Sequence, residues 1–244
     1  AAEGEPRIHN AAREPEIVDL QNFLNAAGFY VRGASSSPVV VRGGCEPREV
    51  TYRIMPDRIA AGTLLVAAAI TGGRITLENA VPEHMAGTLA KLGECGCTLD
   101  ARGRTIRLTG PARPKELRRV ETLPHPGFPT DMQAQMFALC SVAEGTSVIV
   151  ENVFENRFKH AQELSRMGAV SAIRNRTAVI RGVPKLVGAT VTAHDLRGGA
   201  ALVLAGLRAE GITTVLHAER IDRGYERLER TLSALGAHVW RASD

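Results

Sequence analysis

The chain has 244 residues, of which 44% are hydrophobic and 4% aromatic. This length and apolar content predict a globular protein with one large domain or one and a half ordinary domains. The formal net charge is +4, from 30 basic and 26 acidic residues spread along the sequence. A small phosphorylated ligand is therefore favoured over a nucleic acid, whose binding would need a basic face and aromatic residues for base stacking.

Neither the apolar stretches nor the cysteines indicate a membrane span or a metal site. No apolar stretch reaches the roughly 18 uncharged residues of a membrane helix, and the N-terminal sequence AAEGEPRIHN is not a signal peptide. A cytoplasmic protein is expected. Of the four cysteines, Cys45, Cys95, Cys97 and Cys140, only Cys95 and Cys97 are close in sequence. No second cluster completes a metal site, so reduced, mostly structural thiols are expected.

In chain order, four related segments follow one another, and this internal repeat is the main organising feature. Each predicts a glycine turn, a short alternating strand, a polar corner and an amphipathic helix that ends at a glycine, followed by strand, turn and strand. The segments are AEGEPRIHNAAREPEIVDLQNFLNAAG from Ala2, TGGRITLENAVPEHMAGTLAKLGECG from Thr71, AEGTSVIVENVFENRFKHAQELSRMG from Ala143 and AEGITTVLHAERIDRGYERLERTLSALG from Ala209.

A further apolar helix, which begins at an aspartate, is predicted in front of each of the last three segments. The aspartates are Asp57, Asp131 and Asp195, and the helices read DRIAAGTLLVAAAI, DMQAQMFALCSV and DLRGGAALVLAGLR. The complete unit is strand, helix, strand, helix, strand and strand over about 65 residues, which is an α/β (α+β) pattern. We expect a complete domain of pseudo-threefold symmetry over residues 50–244, with units at about 50–118, 119–186 and 187–244.

The first segment lacks the leading strand and helix of the other units. We therefore expect residues 1–49 to be the remnant of the last unit of an N-terminal domain, and the chain to be truncated within that domain. The stretch GASSSPVVVRGGCEPREV from Gly33 is predicted to hold the last strand of this remnant and the crossing into the next domain.

The aspartates have two interpretations. An aspartate at a helix start accepts hydrogen bonds from free N–H groups and complements the helix dipole, so capping alone explains why the units share it. A catalytic role requires cationic groups on the same edge, and Arg58, Arg197 and Arg223 lie at corresponding corners. Each arginine alone is explained as a solvated surface charge, but several arginines beside helix N-termini suit an anion.

Several motifs resemble the UDP-N-acetylglucosamine 1-carboxyvinyltransferase family, the enolpyruvyl transferases of peptidoglycan synthesis. They are AAREPEIVDLQNFL, PHPGFPTDMQAQ, VFENRF, ELSRMGA, DLRGGAALVLAGL and IDRGYERLERTLSALGA. The resemblance is collinear from about Glu3 to Ala237 and diverges only in the strand pairs near Gly33 and Gly103. Several of these motifs are specific to this family rather than shared with its shikimate-pathway relative.

The resemblance implies a fold, a reaction and a cellular role. The fold would be an inside-out α/β barrel of three βαβαββ units, one of two similar domains with the active site in the cleft between them. The reaction would transfer the enolpyruvyl group of phosphoenolpyruvate to the 3'-hydroxyl of UDP-N-acetylglucosamine and release phosphate, without a metal or organic cofactor. This is the first committed step of bacterial peptidoglycan synthesis, which links it to cell-wall biogenesis, cell shape and cell division.

The resemblance also implies roles for individual residues. Asp131 matches the aspartate that contacts the 3'-hydroxyl of the sugar and acts as general base, a role that the chemistry requires because the attacking hydroxyl must lose its proton. Arg197 and Arg223 match arginines that hold phosphoenolpyruvate, and Asp195 matches an acid of the same pocket.

Further matched positions concern binding of the substrates. Val153 and Arg157 match positions near the nucleotide sugar, whereas Arg58 and Glu14 match motif positions of less defined role. In the family, a lysine, an asparagine and a loop with a proton-donating cysteine precede the part that this chain matches, and none of the cysteines here matches that cysteine. The chain alone is therefore expected to be inactive, with the missing N-terminal domain as its partner.

Other functions remain open from the sequence. Within the same class, the shikimate-pathway transferase is the alternative. From a different class, the chain could be a non-catalytic fragment or an interaction module that keeps the fold, although an idle cleft would not need Asp131, Arg197 and Arg223 in register. Nucleic-acid binding by the related RNA-cyclase-like fold is disfavoured by the low aromatic content and the dispersed basic residues.

Overall fold

The structure is a computed structural model that describes residues 3–242. The α-helices are α1 (Pro15–Ala26), α2 (Arg58–Thr71), α3 (Ala86–Glu94), α4 (Gln133–Cys140), α5 (Lys159–Arg166), α6 (Leu196–Gly206) and α7 (Leu228–Ala234). Short 3-10 helices lie at Pro82–Met85, Thr130–Met132 and Ala218–Arg223. None of the helices in residues 3–242 is long and apolar enough to cross a membrane.

The strands are short, as expected for a repeat of small mixed units. In chain order they are β1 (Arg7–Ile8), β2 (Tyr30–Arg32), β3 (Val39–Arg42), β4 (Arg74–Leu77), β5 (Thr98–Arg102), β6 (Thr105–Thr109), β7 (Val120–Glu121), β8 (Thr146–Val150), β9 (Val170–Arg174), β10 (Thr177–Arg181), β11 (Leu186–Val187), β12 (Thr190–Thr192), β13 (Ala209–Glu210) and β14 (Thr214–Leu216).

The chain divides into two compact units. The smaller unit contains the residues up to Asp57 together with Pro124–Gly127, and the larger unit contains Arg58–Leu123 and the residues from Phe128 onward. In the smaller unit, α1 has Pro15 as its only fully buried residue. Apolar side chains of this unit are about half exposed at Ile8 (52%) and Leu20 (51%).

The repeat seen in the sequence is a repeat of sheet topology. In the first segment the strand order is β1-β3-β2, and both pairings are antiparallel. The same order recurs as β4-β6-β5 and as β8-β10-β9, again with antiparallel pairings. In each set of three strands a helix connects the two strands that come first in the chain: α1 connects β1 and β2, α3 connects β4 and β5, and α5 connects β8 and β9. The predicted order of strand, helix, strand and strand is therefore confirmed three times.

The leading strand and helix of the unit also recur. Strand β7 pairs in parallel with β8 across α4, and β12 pairs in parallel with β14 across α6. A helix that connects two parallel neighbouring strands is the βαβ arrangement. The predicted order is therefore complete in the unit that contains α4 and α5.

Two predicted strand regions are absent from the described residues. The leading strand expected near residue 50 is wrong: residues 50–56 form no strand, because Tyr52 binds α1 instead. Its hydroxyl donates to Asp19 Oδ1 at 2.9 Å, and its ring lies edge-on to Phe23. The two strands expected after Gly236 are also wrong for residues 237–242, which form no strand.

In the larger unit, helices lie inside and sheets outside. Helices α2, α4 and α6 pack against one another, and all eight residues of α4 are buried. Glycines on two of these helices leave room for neighbouring 3-10 helices: a Cβ on Gly62 would lie 2.9 Å from Met132 Sδ, and a Cβ on Gly199 would lie 2.7 Å from Ile221. A helix that is apolar nearly all round must be buried on all sides, which explains why the most apolar predicted helices form the centre.

Candidate functional site

The start of α6 shows the capping role in full. Asp195 is the residue before the helix, in an extended conformation, and its carboxylate accepts a hydrogen bond from the N–H of Gly198 at 2.7 Å. This satisfies one of the free N–H groups of the first turn. The capping interpretation of Asp195 is confirmed.

The start of α4 is different, and the capping interpretation is wrong there. Asp131 lies within the 3-10 helix Thr130–Met132, and Met132 is the residue that precedes α4. No side chain caps either helix. Because the extra turn moves the carboxylate away from the helix N–H groups, Asp131 is free to bind other partners.

Two arginines bind the carboxylate of Asp131. Arg157 Nη2 donates to Oδ1 at 2.6 Å, while Arg197 donates to Oδ2 from Nη2 at 3.1 Å and from Nε at 3.3 Å. Charge-assisted hydrogen bonds from a planar guanidinium are stronger than those between neutral groups. The acid is therefore held between two cations that come from different repeat units.

Arg157 is positioned by the loop between β8 and α5. At the start of this loop, the buried Glu151 accepts hydrogen bonds from the N–H groups of Val153 and Phe154 through Oε1 and from Thr130 Oγ1 through Oε2. Arg157 Nη1 in turn donates to Thr130 Oγ1 at 2.8 Å. Glu151 thus fixes both the loop and the threonine beside Asp131.

An aromatic ring supports the same arginine. The guanidinium carbon of Arg157 lies 4.7 Å from the ring centroid of Phe154, within the range of a cation–π contact. Phe154 itself is about half exposed, at 52%. A stacked ring in the loop restricts the directions in which Arg157 can point.

The arginines change the acidity of Asp131. Partial burial alone would raise the pKa of Asp131, but the hydrogen bond from Arg157 and the charges of Arg197 and Arg157 outweigh burial, so the pKa is lowered from its ordinary value. Burial would likewise lower the pKa of Arg197, but Tyr225 and Asp131 outweigh it and the pKa is raised. At neutral pH, Asp131 is a carboxylate and Arg197 a cation.

These groups line a pocket of about 550 Å³. It contains four cationic and three acidic side chains, with two polar or aromatic loop residues and one leucine: Arg157, Lys159, Arg197, Arg223, Asp131, Glu155, Asp195, Phe154, Asn156 and Leu196. The excess of positive charge, with two guanidinium groups aimed at one carboxylate, suits an anionic ligand that carries phosphate or carboxylate groups.

Most of the site residues predicted from the sequence converge on this pocket. Asp131, Arg157, Asp195, Arg197 and Arg223 line it, Arg223 from the end of the 3-10 helix Ala218–Arg223. Their roles in substrate binding or catalysis stay predictions.

The other predicted residues do not line this pocket. Val153 lies in the loop that carries Arg157, where its N–H is bound by Glu151. Arg58 is the first residue of α2, directly after Asp57. Glu14 belongs to the smaller compact unit, where it precedes α1.

Sequence reasoning missed several members of the site. Lys159 directly follows the motif VFENRF, which was the available signal. Glu151, Thr130 and Tyr225 gave none, because a charged or polar residue beside a strand or turn is usually solvated. Within residues 3–242, no group of three or more histidine, cysteine, aspartate and glutamate side chains could hold a metal ion.

Comparison with known proteins gives a consistent set of relatives. The chain is 51% identical over 240 residues to UDP-N-acetylglucosamine 1-carboxyvinyltransferase 2 of Caldanaerobacter subterraneus subsp. tengcongensis. It is 54% identical over 240 residues to UDP-N-acetylglucosamine 1-carboxyvinyltransferase 1 of Symbiobacterium thermophilum. In both cases 98% of the chain is covered, but only 58% and 54% of the relative, so the chain spans little more than half the length of these relatives.

Solved structures confirm the predicted fold. The enolpyruvyl transferase NikO from Streptomyces tendae is 25% identical with a TM-score of 0.84, over 98% of this chain and 57% of that protein. The EPSP synthase from Acinetobacter baumannii is 19% identical with a TM-score of 0.74, over 99% of this chain and 59% of that protein. The family model for EPSP synthase (3-phosphoshikimate 1-carboxyvinyltransferase) matches residues 1–232. The chain therefore belongs to the EPSP synthase family of carboxyvinyl transferases and has the enolpyruvyl transferase fold.

Proposed function

We propose that the protein to which this chain contributes transfers the enolpyruvyl group of phosphoenolpyruvate to the 3'-hydroxyl of UDP-N-acetylglucosamine, with release of phosphate. The observation that carries the proposal is the carboxylate of Asp131, which is bound by Arg157 and Arg197 in a pocket rich in positive charge. Relatives that share 51% and 54% of the residues over 98% of the chain bear the name of this activity.

The chemistry requires a base and an anion clamp. When the sugar hydroxyl adds to the enol carbon, its proton passes to a base and the methylene carbon gains a proton from an acid; loss of phosphate and of a methyl proton then restores the double bond. Asp131 fits the base because it is a carboxylate at neutral pH and can accept the proton of the hydroxyl. Within the described residues Oδ1 accepts one hydrogen bond, from Arg157, so a hydroxyl can donate to its second lone pair while the arginines stay bound.

The remaining pocket residues are assigned to binding. Arg197 and Arg223 would hold the phosphate and carboxylate of phosphoenolpyruvate, for which the planar fork of arginine is suited. Asp195 would contribute an acid to the same pocket while it caps α6. Arg157 and Val153, in the loop after β8, would face the nucleotide sugar.

Two further residues and the domain organisation complete the proposal. Arg58 at the start of α2 and Glu14 before α1 are assigned to substrate binding. Residues 1–49 would be the last part of an N-terminal domain, and residues 50–244 a three-unit C-terminal domain. The chain spans 58% of one relative, so the proton donor and the rest of the clamp would come from the part that it does not cover.

In the cell, this activity would place the protein at the first committed step of peptidoglycan synthesis, in the cytoplasm of a bacterium. The reaction would then support cell-wall biogenesis, cell shape and cell division. The relevant acceptor is a nucleotide sugar, so both substrates are small anionic molecules. The positive charge of the pocket is consistent with such substrates.

Phosphate release tests the proposal. The chain is fused to the part of the Symbiobacterium thermophilum transferase 1 that it does not cover, and phosphate is measured with phosphoenolpyruvate and UDP-N-acetylglucosamine. The fusion should turn over, and the chain alone should not. Asp131→Asn should lower kcat by about 10²–10⁴ with little effect on binding of the UDP-sugar. Asp222→Asn, in an exposed ion pair with Arg241, is the matched control.

The outcomes separate the alternatives. Turnover with 3-phosphoshikimate instead of the UDP-sugar would favour the activity that names the family model. A folded fusion that releases no phosphate with either acceptor would identify a non-catalytic protein. Rapid phosphate release by the chain alone would place the proton donor within these 244 residues and contradict the assignment of the missing part.

A further inference from the structure

The guanidinium of Arg197 lies against the ring of Tyr225. The distance from the guanidinium carbon to the ring centroid is 5.3 Å, and Tyr225 is only 5% exposed. Such a contact between a cation and the face of an aromatic ring is attractive, and more so when it is shielded from water. Tyr225 follows the 3-10 helix that ends at Arg223, so it belongs to the same corner of the fold as the pocket.

The hydroxyl of Tyr225 is anchored at the centre of the helix bundle. Thr63 Oγ1 lies 2.9 Å from the tyrosine oxygen, and Thr63 donates its own hydrogen to the carbonyl of Ile59 at 2.8 Å. A hydroxyl has one hydrogen to donate, so Tyr225 must be the donor to Thr63. Gln135 Nε2 donates to Thr63 Oγ1 at 3.1 Å and to the tyrosine oxygen at 3.2 Å.

This arrangement connects the three inner helices through buried polar groups. Thr63 lies on α2, Gln135 on α4 and Arg197 on α6, and the first two are fully buried. Polar groups that are buried and hydrogen-bonded have few alternative positions, because breaking one bond leaves a partner unsatisfied. The Tyr225 ring therefore has a fixed position relative to all three helices.

Arg197 has few other constraints. Its hydrogen bonds within residues 3–242 are those to Asp131 Oδ2, and its Nη1 is buried without a hydrogen-bond partner there. A Cβ on Gly224 would lie 3.4 Å from Nη1 and 3.0 Å from Leu196 Cδ2, so the absence of a side chain leaves room for the guanidinium. Besides its ion pair with Asp131, the contact with the Tyr225 ring restricts the direction of Arg197.

We propose that Tyr225, held by Thr63 and Gln135, is a positioning residue that orients Arg197 toward Asp131. The network transmits the relative positions of α2 and α4 to an arginine on α6. It would act through Arg197 without touching substrate. The proposal deepens the proposed function, but its structural part, the orientation of the ion pair, can be tested without turnover.

The pKa of Asp131 reports on the orientation of Arg197 in the 244-residue chain. It is followed by ¹³C NMR of the aspartate carboxyl groups during a pH titration. The charged groups that face Asp131 are Arg157 and Arg197, with Lys159 and Arg223 also in the pocket. Tyr225→Phe keeps the ring and removes the hydroxyl, so Arg197 should become less well placed. We expect the pKa of Asp131 to rise by about 0.5–1 unit, since a nearby opposite charge lowers a carboxyl pKa by about 1–3 units.

Matched variants separate positioning from general damage. Thr63→Val removes the acceptor for Tyr225 and should raise the pKa of Asp131 in the same direction, whereas Thr63→Ser keeps the hydroxyl and should restore the wild-type value. Thr88→Val, at another buried threonine of the same unit, should leave the pKa unchanged. If Thr63→Val does not fold, Tyr225→Phe and Thr63→Ser carry the test. An unchanged pKa of Asp131 in Tyr225→Phe would overturn the proposal.

Turnover of the fusion provides the second readout. Tyr225→Phe should lower kcat about tenfold with little change in KM for the UDP-sugar, because small misplacements of a catalytic group reduce rate more than binding. A raised pKa of Asp131 in a fusion that has no transferase activity would support the positioning role and refute the proposed function. The two proposals therefore fail in different ways.

Discussion

Asp131 and Asp195 occupy corresponding places in successive repeat units but have different partners. Asp195 stands directly before α6 and caps it through the N–H of Gly198. Asp131 stands before α4 in a 3-10 helix, where it caps nothing and binds Arg157 and Arg197. Asp195 therefore stabilises its own helix, whereas Asp131 binds arginines from two repeat units.

The difference shows how a repeat can acquire a site. A single extra turn before α4 releases the carboxylate of Asp131 from the helix N–H groups, and the arginine that then binds it, Arg197, is the second residue of the helix that Asp195 caps. The start of α6, which Asp195 caps, thus carries the arginine that binds Asp131 at the start of α4. In the sequence Asp131 and Asp195 look equivalent, but in the structure Asp195 caps a helix and Asp131 binds arginines.

The largest expected effect is the pH dependence of the free energy of unfolding that His160 causes at the start of α6. His160 packs at the start of α6, where a Cβ on Gly198 would lie 3.3 Å from its Cβ. Burial lowers the pKa of His160 to about 4, with Asp195 opposing and Arg157 assisting. In the unfolded chain histidine titrates near pH 6.5, so only the unfolded chain gains this proton between about pH 6.5 and 4. The free energy of unfolding should fall by about 3 kcal/mol over that range as the pH decreases.

Urea unfolding of the 244-residue chain between pH 7 and pH 4 checks this expectation. The decrease should be much smaller in His160→Leu, which cannot take up a proton. His238→Leu, at an exposed histidine of the same unit, should keep the wild-type dependence. Equal slopes in wild type and His160→Leu would show that this histidine is not buried in the neutral form.

Removal of the carboxylate at the start of α4 is expected to have the next largest effect. Asp131→Ala leaves Arg157 and Arg197 close together without an opposite charge, and the side chain of Arg197 is only 13% exposed. Loss of one partner from a buried ion pair costs about 3–5 kcal/mol, and the partial exposure of Asp131 reduces this to about 2 kcal/mol. Urea unfolding at pH 7 measures it, with Asp222→Ala as the exposed control. A more stable Asp131→Ala variant would contradict the arrangement.

At the start of α6 the expected effect is that of a helix cap. Asp195→Ala should lower the free energy of unfolding by about 1 kcal/mol, whereas Asp195→Asn should be close to wild type because asparagine caps as well as aspartate. The same two substitutions at Asp131 should not show this pattern, since asparagine cannot replace the charge between two arginines. If Asp195→Asn and Asp195→Ala were equally destabilised, the charge rather than the cap would explain the role of Asp195.

The smallest expected effect is the acid titration of Asp131. Its folded pKa is lowered, so its stabilising contribution is complete above the ordinary carboxyl pKa and is lost as the pH falls through the folded value. Because the side chain is 39% exposed, the contribution should be under about 1 kcal/mol. Comparison of wild type and Asp131→Asn in urea below pH 4 checks it. If the free energy of unfolding fell more steeply with decreasing pH in Asp131→Asn than in wild type, the pKa of Asp131 would not be lowered by folding.

The sequence predicted the elements of the larger unit well where the physical signal is local. Apolar runs that begin at an aspartate predicted α2, α4 and α6, and alternating strands around a turn predicted β5 with β6 and β9 with β10. Failures came where the local pattern competed with a tertiary contact. Residues 50–56 look extended but bind α1 through Tyr52 and Asp19 instead of joining a sheet.

For the site, the sequence alone determined which residue types are available: aspartates at helix starts, arginines at corners and the loop motif that carries Arg157. Only the tertiary structure decided their partners, because Asp131 and Arg197 are 66 positions apart and meet by the packing of α4 against α6. The same holds for Tyr225 and Thr63, which are separated by 162 positions. A charge or hydroxyl has no intrinsic partner, so its role follows from the fold that surrounds it.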